Sequence, residues 1–487
     1  MLVLVVALAV RIQNVARNKA DAKLYGDAFD YYMQGKSLAA GHGFTQTLAT
    51  FRINTDLPSG TLVPTAAHPP GFTVFLAFLQ KIGLTTPLQQ RYAMCVLGTV
   101  SVLVIILAAR RMFGPRSALV AGAIAALYPN LWINDGLLMA ESLFIFGFAL
   151  GILGVYTYLD ERRWPTLVLA SVGFTVAMST RPEQVLLFPL VILPAVLARP
   201  TAAWPARLRH VALAAVFPLL VLVPWTVFNA TRFSKPVLFT TGSGQTMLQG
   251  NCRSTYSGQL LGSYDYHCML SHLMPSRPGE IPDESVQDAH YRDLAFKYMK
   301  FHRTDLPKVI AAREGRLWGV YRTGQQNKVD YFIERRGSLT LVEWTQRSYW
   351  VLGTLALVGI WRFRREHLAL YPLLAEIGIT AFVTAITFGN TRYRAGVEVC
   401  IVLLATATLR YGWRRWQRRR AQTEGGSSPA DRAEPSTSST ASTRALSSAI
   451  SSASTRERSS ERDSSHENWT TMRNSTPTAM ARNVAGG

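Results

Sequence analysis

Acidic residues are scarce in this chain. Thirty Asp and Glu face 51 Lys and Arg, which leaves a net charge of +21 over 487 residues. Charged residues of both signs make up only 17%, against about 25% in a typical soluble domain. That deficit excludes ordinary soluble folds. Cysteine is scarce as well, and four residues are too few for a disulfide scaffold. Cys95 and Cys400 lie in apolar runs and read as small hydrophobes. Cys252 and Cys268 share one polar segment, and their pairing depends on which side of a membrane that segment occupies.

The excess of positive charge invites a nucleic-acid partner, but its distribution argues against one. Residues 421–487 hold seven Arg and seven Asp or Glu, so the whole +21 lies in residues 1–420. The long apolar runs occupy that same region. Cations bracketing apolar segments mark a membrane protein, with no nucleic acid among its partners.

A spanning helix needs about 17 to 25 mainly apolar residues. Runs of that kind fall near 88–109, 117–133, 137–158, 164–180, 183–199, 208–228, 346–361, 368–388 and 396–411. An apolar run at 1–15 is short for a span and has no basic start, so a cleaved signal peptide is the competing reading; no small-residue cleavage site follows it. The sequence therefore predicts an all-α integral membrane protein, a polytopic bundle of about ten helices. Seventeen Arg in five clusters, from Arg110 to Arg420, fall on every second loop and set the orientation. Both termini are then cytoplasmic. The segments 16–87 and 229–345 face out, the second as a large extracytoplasmic loop.

Four regions follow: a catalytic membrane module at 1–228, with its first outer loop at 16–87; the outer loop or domain at 229–345; membrane helices and a basic end at 346–420; and a tail at 421–487. The tail has 25 Ser or Thr and no apolar periodicity, and it reads as disordered. Helical spacing over 27–40 and 285–301 predicts two helices resting on the membrane surface, the first on Tyr31, Leu38 and Ala39.

Several polar residues converge on the outer side. Asp27 opens the first of those helices, where it serves either as a cap or as a general base. His68, in His68-Pro-Pro-Gly71, reads as a ligand, a hydrogen-bond donor or a structural histidine before an interfacial helix at 72–84. Glu141 lies at the mouth of a span, where an ionised group is costly and so a functional candidate. Arg181 ends the next span, as a snorkelling cation or a ligand. Arg392 and Arg394 flank Tyr393 on an outward loop and oppose the positive-inside preference. A phosphate is the natural counter-charge for such arginines.

In order, Gly26-Asp27-x-x-x-Tyr31, His68-Pro-Pro-Gly71, Glu141-Ser-Leu143, Thr180-Arg-Pro182, Pro224-Trp-Thr-Val-Phe-Asn229 and Arg392-Tyr-Arg394 resemble glycosyltransferase family 39. That family holds the protein O-mannosyltransferase-like and aminoarabinose-transferase-like enzymes of the type C fold. The resemblance covers about residues 1–412. It implies transfer of a mannose- or pentose-like sugar from a polyprenyl-phosphate donor to a lipid, glycan or protein acceptor on the extracytoplasmic face of the plasma membrane.

By that resemblance Asp27 is the catalytic base, Asp30 its competitor one turn on, and Glu141 its helper. Arg392, Arg394 and Arg181 face the donor phosphate, supported by His68 and Tyr393. Glu398 departs from the family pattern, and pairing with an arginine would weaken that arginine's role. Some related folds use a divalent metal, yet no ligand cluster in this sequence demands one. On an oxidising face Cys252–Cys268 is expected as a disulfide, with two free thiols as the alternative. A secondary transporter, a lipid-linked-oligosaccharide ligase or polymerase, and a non-catalytic scaffold are the rival functions.

Overall fold

A computed structural model of the chain describes residues 1–17, 24–47, 58, 60–198, 203–274, 283–365 and 368–425. The expectation of a disordered tail lies, from residue 426 on, outside the described residues. The described chain is mostly helical. It departs from all-α by one two-stranded antiparallel sheet, Thr45–Thr47 against Leu62–Pro64, with Gln46 opposite Val63.

Among the described residues four stretches are long and apolar enough to cross a membrane: Pro87–Phe113, Glu141–Glu161, Trp204–Ala230 and Thr391–Arg420. A fifth, Pro115–Leu127 with Pro129–Gly136, is bent by 64°. The bend follows from Pro129, which lacks an amide hydrogen and holds Tyr128 extended (ψ 112°). Prolines also account for the interrupted run at 183–199. Pro182, Pro189 and Pro194 divide it into a 3₁₀ turn Pro182–Leu186, a π turn Phe188–Ile192 and a short helix Leu193–Leu197. Trp164–Thr180 and Tyr371–Ile386 are apolar but short, and the run at 346–361 falls within the less apolar helix Leu339–Arg365. The run at 1–15 is the helix Leu2–Arg17. It is built into the bundle, because buried Arg11 donates from Nε to Asp135 Oδ2 at 2.7 Å.

Lipid chains are as apolar as leucine, so helices in a membrane gain by close backbone approach instead of by burial from water. Glu141–Glu161 and Trp164–Thr180 form such a pair through glycine. A Cβ on Gly173 would lie 2.2 Å from Gly151 N, and one on Gly154 2.2 Å from Ala170 N. Phe144, Phe148 and Phe174, all fully buried, fill the space beside this seam. Gly173→Val is therefore expected to destabilise the protein by about 1–3 kcal/mol or more through overpacking. Gly378→Ala, in a helix with nothing within 4 Å of the added methyl, should melt at or above the wild-type temperature. A thermal melt of both variants in detergent checks the contrast.

The segment 229–345 is helical too, through Ser243–Gly250, Glu284–Phe301, Leu306–Leu317 and Thr323–Phe332. Cys252 and Cys268 form a disulfide in it. Glu284 joins it to the first outer loop, accepting from Ala66 N at 2.9 Å, Thr241 Oγ1 at 2.7 Å and Gln46 Nε2 at 3.2 Å. The helix expected at 285–301 is present as Glu284–Phe301, and inside the protein it buries Ser285, Asp288, Tyr291 and Ala295. Its partner is the helix Ser243–Gly250: Gly244 N donates to Asp288 Oδ1, and Met247 and Leu248 pack with Tyr291 and Ala295.

Candidate functional site

The helix Asp27–Ala39 begins without a side-chain cap, since Gly26 holds the cap position at φ 53°. Asp27 is thereby left out of capping and turned to the site. Tyr31, expected on the membrane surface, instead points inward. It stacks on His68 with ring centroids 4.2 Å apart and meets Phe72 edge-on. The helix lies on Pro70–Lys81, where Gly35 backs against Leu76. Pro70 supplies the pre-set φ of a first helical position. Gly71 lets that helix start meet Ser179, since a Cβ there would fall 2.1 Å from Ser179 Oγ. Ser179 stands two residues before Arg181. The His68-Pro-Pro-Gly71 and Thr180-Arg-Pro182 motifs are thus docked on one another.

Arg392 is the hub. Its Nη1 donates to Asp27 Oδ2 at 2.8 Å, and its Nε donates to Glu141 Oε1. Glu141 Oε1 also accepts from Arg181 Nη2 at 3.0 Å, and Arg181 Nη1 lies 3.6 Å from Glu183 Oε1. Glu141 is buried, whereas Asp27 keeps 39% of its side chain exposed. The base candidate therefore faces open space, and its neighbour does not. Arg181 spreads over the rings of Phe144 and Tyr393, 5.2 and 5.6 Å from their centroids.

Electrostatics follow the geometry. Burial pushes the Asp27 carboxyl up, but the pull of Arg392, His68 and Arg181 together outweighs this, and Asp27 ionises below its ordinary range. Burial lowers His68, against the opposing pull of Asp27, so His68 is neutral at pH 7. Asp27, Asp30 and His68 place one ligand atom each within 4.8 Å of one another. Two carboxylates and an imidazole suit a divalent cation, although one oxygen of Asp27 already serves Arg392. The sequence hid this grouping because His68 comes from a separate loop.

Arg394 does not join Arg392. It is 2% exposed and points into the bundle, with Nε on Glu398 Oε1 at 3.0 Å and Nη1 on Leu317 O at 2.7 Å. Its guanidinium covers Tyr349 at 3.7 Å. Tyr128 donates to the other Glu398 oxygen at 2.5 Å. Consecutive side chains of the 3₁₀ turn Thr391–Arg394 point in different directions, so two arginines two residues apart face opposite surroundings.

Sequence reasoning missed Glu334 and Asn390. Glu334 Oε2 lies 3.6 Å from Arg392 Nη1. Asn390 donates to Glu334 Oε1 at 3.0 Å and accepts from the Arg392 amide at 3.0 Å. Burial pushes the Glu334 carboxyl up, against the pull of Arg392. Glu334 is one of eleven acids in the polar segment 229–345, with no motif around it to single it out.

Residues 67–228 match the family described as dolichyl-phosphate-mannose-protein mannosyltransferase. No curated protein matches the chain in sequence. Among solved structures, the oligosaccharyltransferase AglB of Archaeoglobus fulgidus, in complex with an inhibitory peptide and a dolichol-phosphate, is 14% identical with a TM-score of 0.49; the match covers 90% of this chain and 52% of that one. The apo form of the Archaeoglobus fulgidus oligosaccharyltransferase gives 12% and 0.46, over 87% and 51%. ArnT of Cupriavidus metallidurans, bound to undecaprenyl phosphate, gives 16% and 0.39, over 83% and 77%. The chain spans about half the length of the archaeal enzymes. The resemblance read from its motifs is thus shown over residues 67–228, the stretch that carries His68, Glu141 and Arg181, as a match to the mannosyltransferase family.

Proposed function

We propose that this chain is a membrane glycosyltransferase that moves a mannose- or pentose-like sugar from a polyprenyl-phosphate donor to an acceptor hydroxyl, with inversion. The observation that carries this reading is the half-exposed Asp27 carboxylate held 2.8 Å from Arg392, in contact with the segment that matches the mannosyltransferase family. The acceptor oxygen attacks the anomeric carbon and gives its proton to Asp27. The bond from that carbon to the phosphate oxygen breaks, and the phosphate leaves with the electron pair. The leaving phosphate gains charge in the transition state, so a fixed guanidinium stabilises that state more than the ground state. Arg392 and Arg181 supply the cations, and Glu141 and Glu334 hold them in place. Arg394 supports the fold beneath them.

An arriving phosphate competes with Asp27 for Arg392 Nη1, so donor binding releases the base. The Cys252–Cys268 disulfide supports an extracytoplasmic site, since such bonds persist in oxidising compartments. Both termini are then cytoplasmic.

The test is transfer from labelled polyprenyl-phosphate mannose and pentose donors in membranes containing the chain. Transfer from at least one donor is expected. Failure with every donor, together with movement of a labelled solute across the membrane, would replace this reading with transport. The pH profile separates the candidate bases. With Asp27 held below its ordinary range, kcat/KM should stay level on acidification to about pH 4 and fall only below it. An acid limb above about pH 4 but below the ordinary histidine value, about 6.5, would assign the base to His68, which burial lowers.

A further inference from the structure

The last helix runs for 31 residues, Ala395–Gly425, about 46 Å at 1.5 Å per residue. The hydrocarbon of a bilayer is about 30 Å thick, so the helix continues past it. Its apolar half ends at Leu409. The next eleven residues, 410–420, hold six Arg and no acid. Between Glu398 and Glu424 the chain has no acidic residue at all. Two tryptophans interrupt the arginines three residues apart, on one side of the helix. Trp413 and Trp416 are 55% and 48% exposed, with ring centroids 5.0 Å apart, and Arg420 lies over Trp416. The neighbouring helix Leu339–Arg365 ends beside them, with Arg362 placed 3.4 Å over Tyr411 and 4.0 Å over Trp361.

Indole rings favour the depth of the lipid headgroups, apolar on one side and wet on the other. The guanidinium groups of Arg414 and Arg415, between the indoles, and of Arg418, just beyond them, meet phosphate in the same headgroup layer. We propose that this arginine–tryptophan collar binds the headgroups of anionic phospholipids. Orienting charge alone asks only for cations near a helix end. Paired, exposed indoles within the basic run add a surface matched to the headgroup layer. The proposal does not depend on the transferase reading or on which face of the membrane the collar occupies.

The full chain in neutral detergent, titrated with phosphatidylglycerol or phosphatidylcholine and followed by native mass spectrometry, tests this. Phosphatidylglycerol should be retained about tenfold more strongly or better, and raising salt from about 0.05 M to about 0.5 M should remove most of that preference. The triple variant Arg414→Gln, Arg415→Gln, Arg418→Gln should bind both lipids alike. Trp413→Ala with Trp416→Ala should weaken retention of both. Equal retention of the two lipids by wild type, or an unchanged preference in the triple variant, would overturn the proposal. So would displacement of phosphatidylglycerol by a short RNA at equal concentration. If the variant aggregates, the salt titration on wild type decides: a preference that survives high salt is not electrostatic, and the collar is then not the site.

Discussion

Asp27→Asn should lower sugar transfer by about 10² to 10⁴, the range a positioned general base supplies. Its effect should fall on kcat, with the donor KM little moved. Asparagine keeps the shape and the hydrogen bond to Arg392 but cannot take a proton. The substitution also removes one of the three carboxylates around Arg392. A donor phosphate would then meet less competition for Nη1, so any shift in KM should be downward. Steady-state transfer at saturating acceptor, with donor varied, separates the two constants. Asp30→Asn is the control, because Asp30 sits one turn along the same helix and beside His68. Full activity in Asp27→Asn together with loss in Asp30→Asn would move the base by one helical turn.

Arg392→Ala should cost transfer about 10² to 10³, as the loss of one fixed donor to developing charge does elsewhere. It also uncovers Glu141, whose side chain is 2% exposed and whose carboxylate shares one oxygen between Arg392 and Arg181. Breaking a buried pair by removing one partner destabilises by about 3–5 kcal/mol, so a melt must accompany the rate. Arg392→Lys keeps the charge but replaces a planar fork with a single ammonium. It can satisfy Glu141 or Asp27, not both, and should recover stability before it recovers donor KM. Arg394→Gln is the decisive comparison. Arg394 is bound to Glu398 and Leu317 O inside the bundle, so its loss should lower the melting temperature and leave donor KM unchanged in the folded fraction. Equal effects of the two arginines on donor KM would place both on the phosphate and contradict the geometry.

Much of this architecture was legible in the residues. Apolar runs and their flanking arginines mark the membrane segments, since the cost of burying charge in hydrocarbon leaves its trace directly in composition. The helices at 27–40 and 285–301 follow from periodicity. The breaks within the apolar runs did not. The runs at 117–133 and 183–199 are apolar enough, but Pro129, Pro182, Pro189 and Pro194 break their backbones, and composition averages over such breaks. The helix face at Tyr31 was misread for a related reason. An apolar stripe shows where water is avoided, yet the direction of Tyr31 is decided by a partner, the His68 ring.

The sequence by itself determined that this is a basic, mostly helical membrane chain, with Asp27, His68, Glu141, Arg181 and Arg392 set in ordered motifs. It did so because hydrophobicity, proline and charge act locally and are written in the order of residues. Only the tertiary structure decided which of those residues meet. Arg392 gathers Asp27, Glu141 and Glu334 from segments 365, 251 and 58 residues away in the chain, and Arg394, two residues on, turns to Glu398 instead. Ion pairing depends on distance through space and on the direction a side chain leaves its turn. Neither is recorded in the spacing of Arg392-Tyr-Arg394.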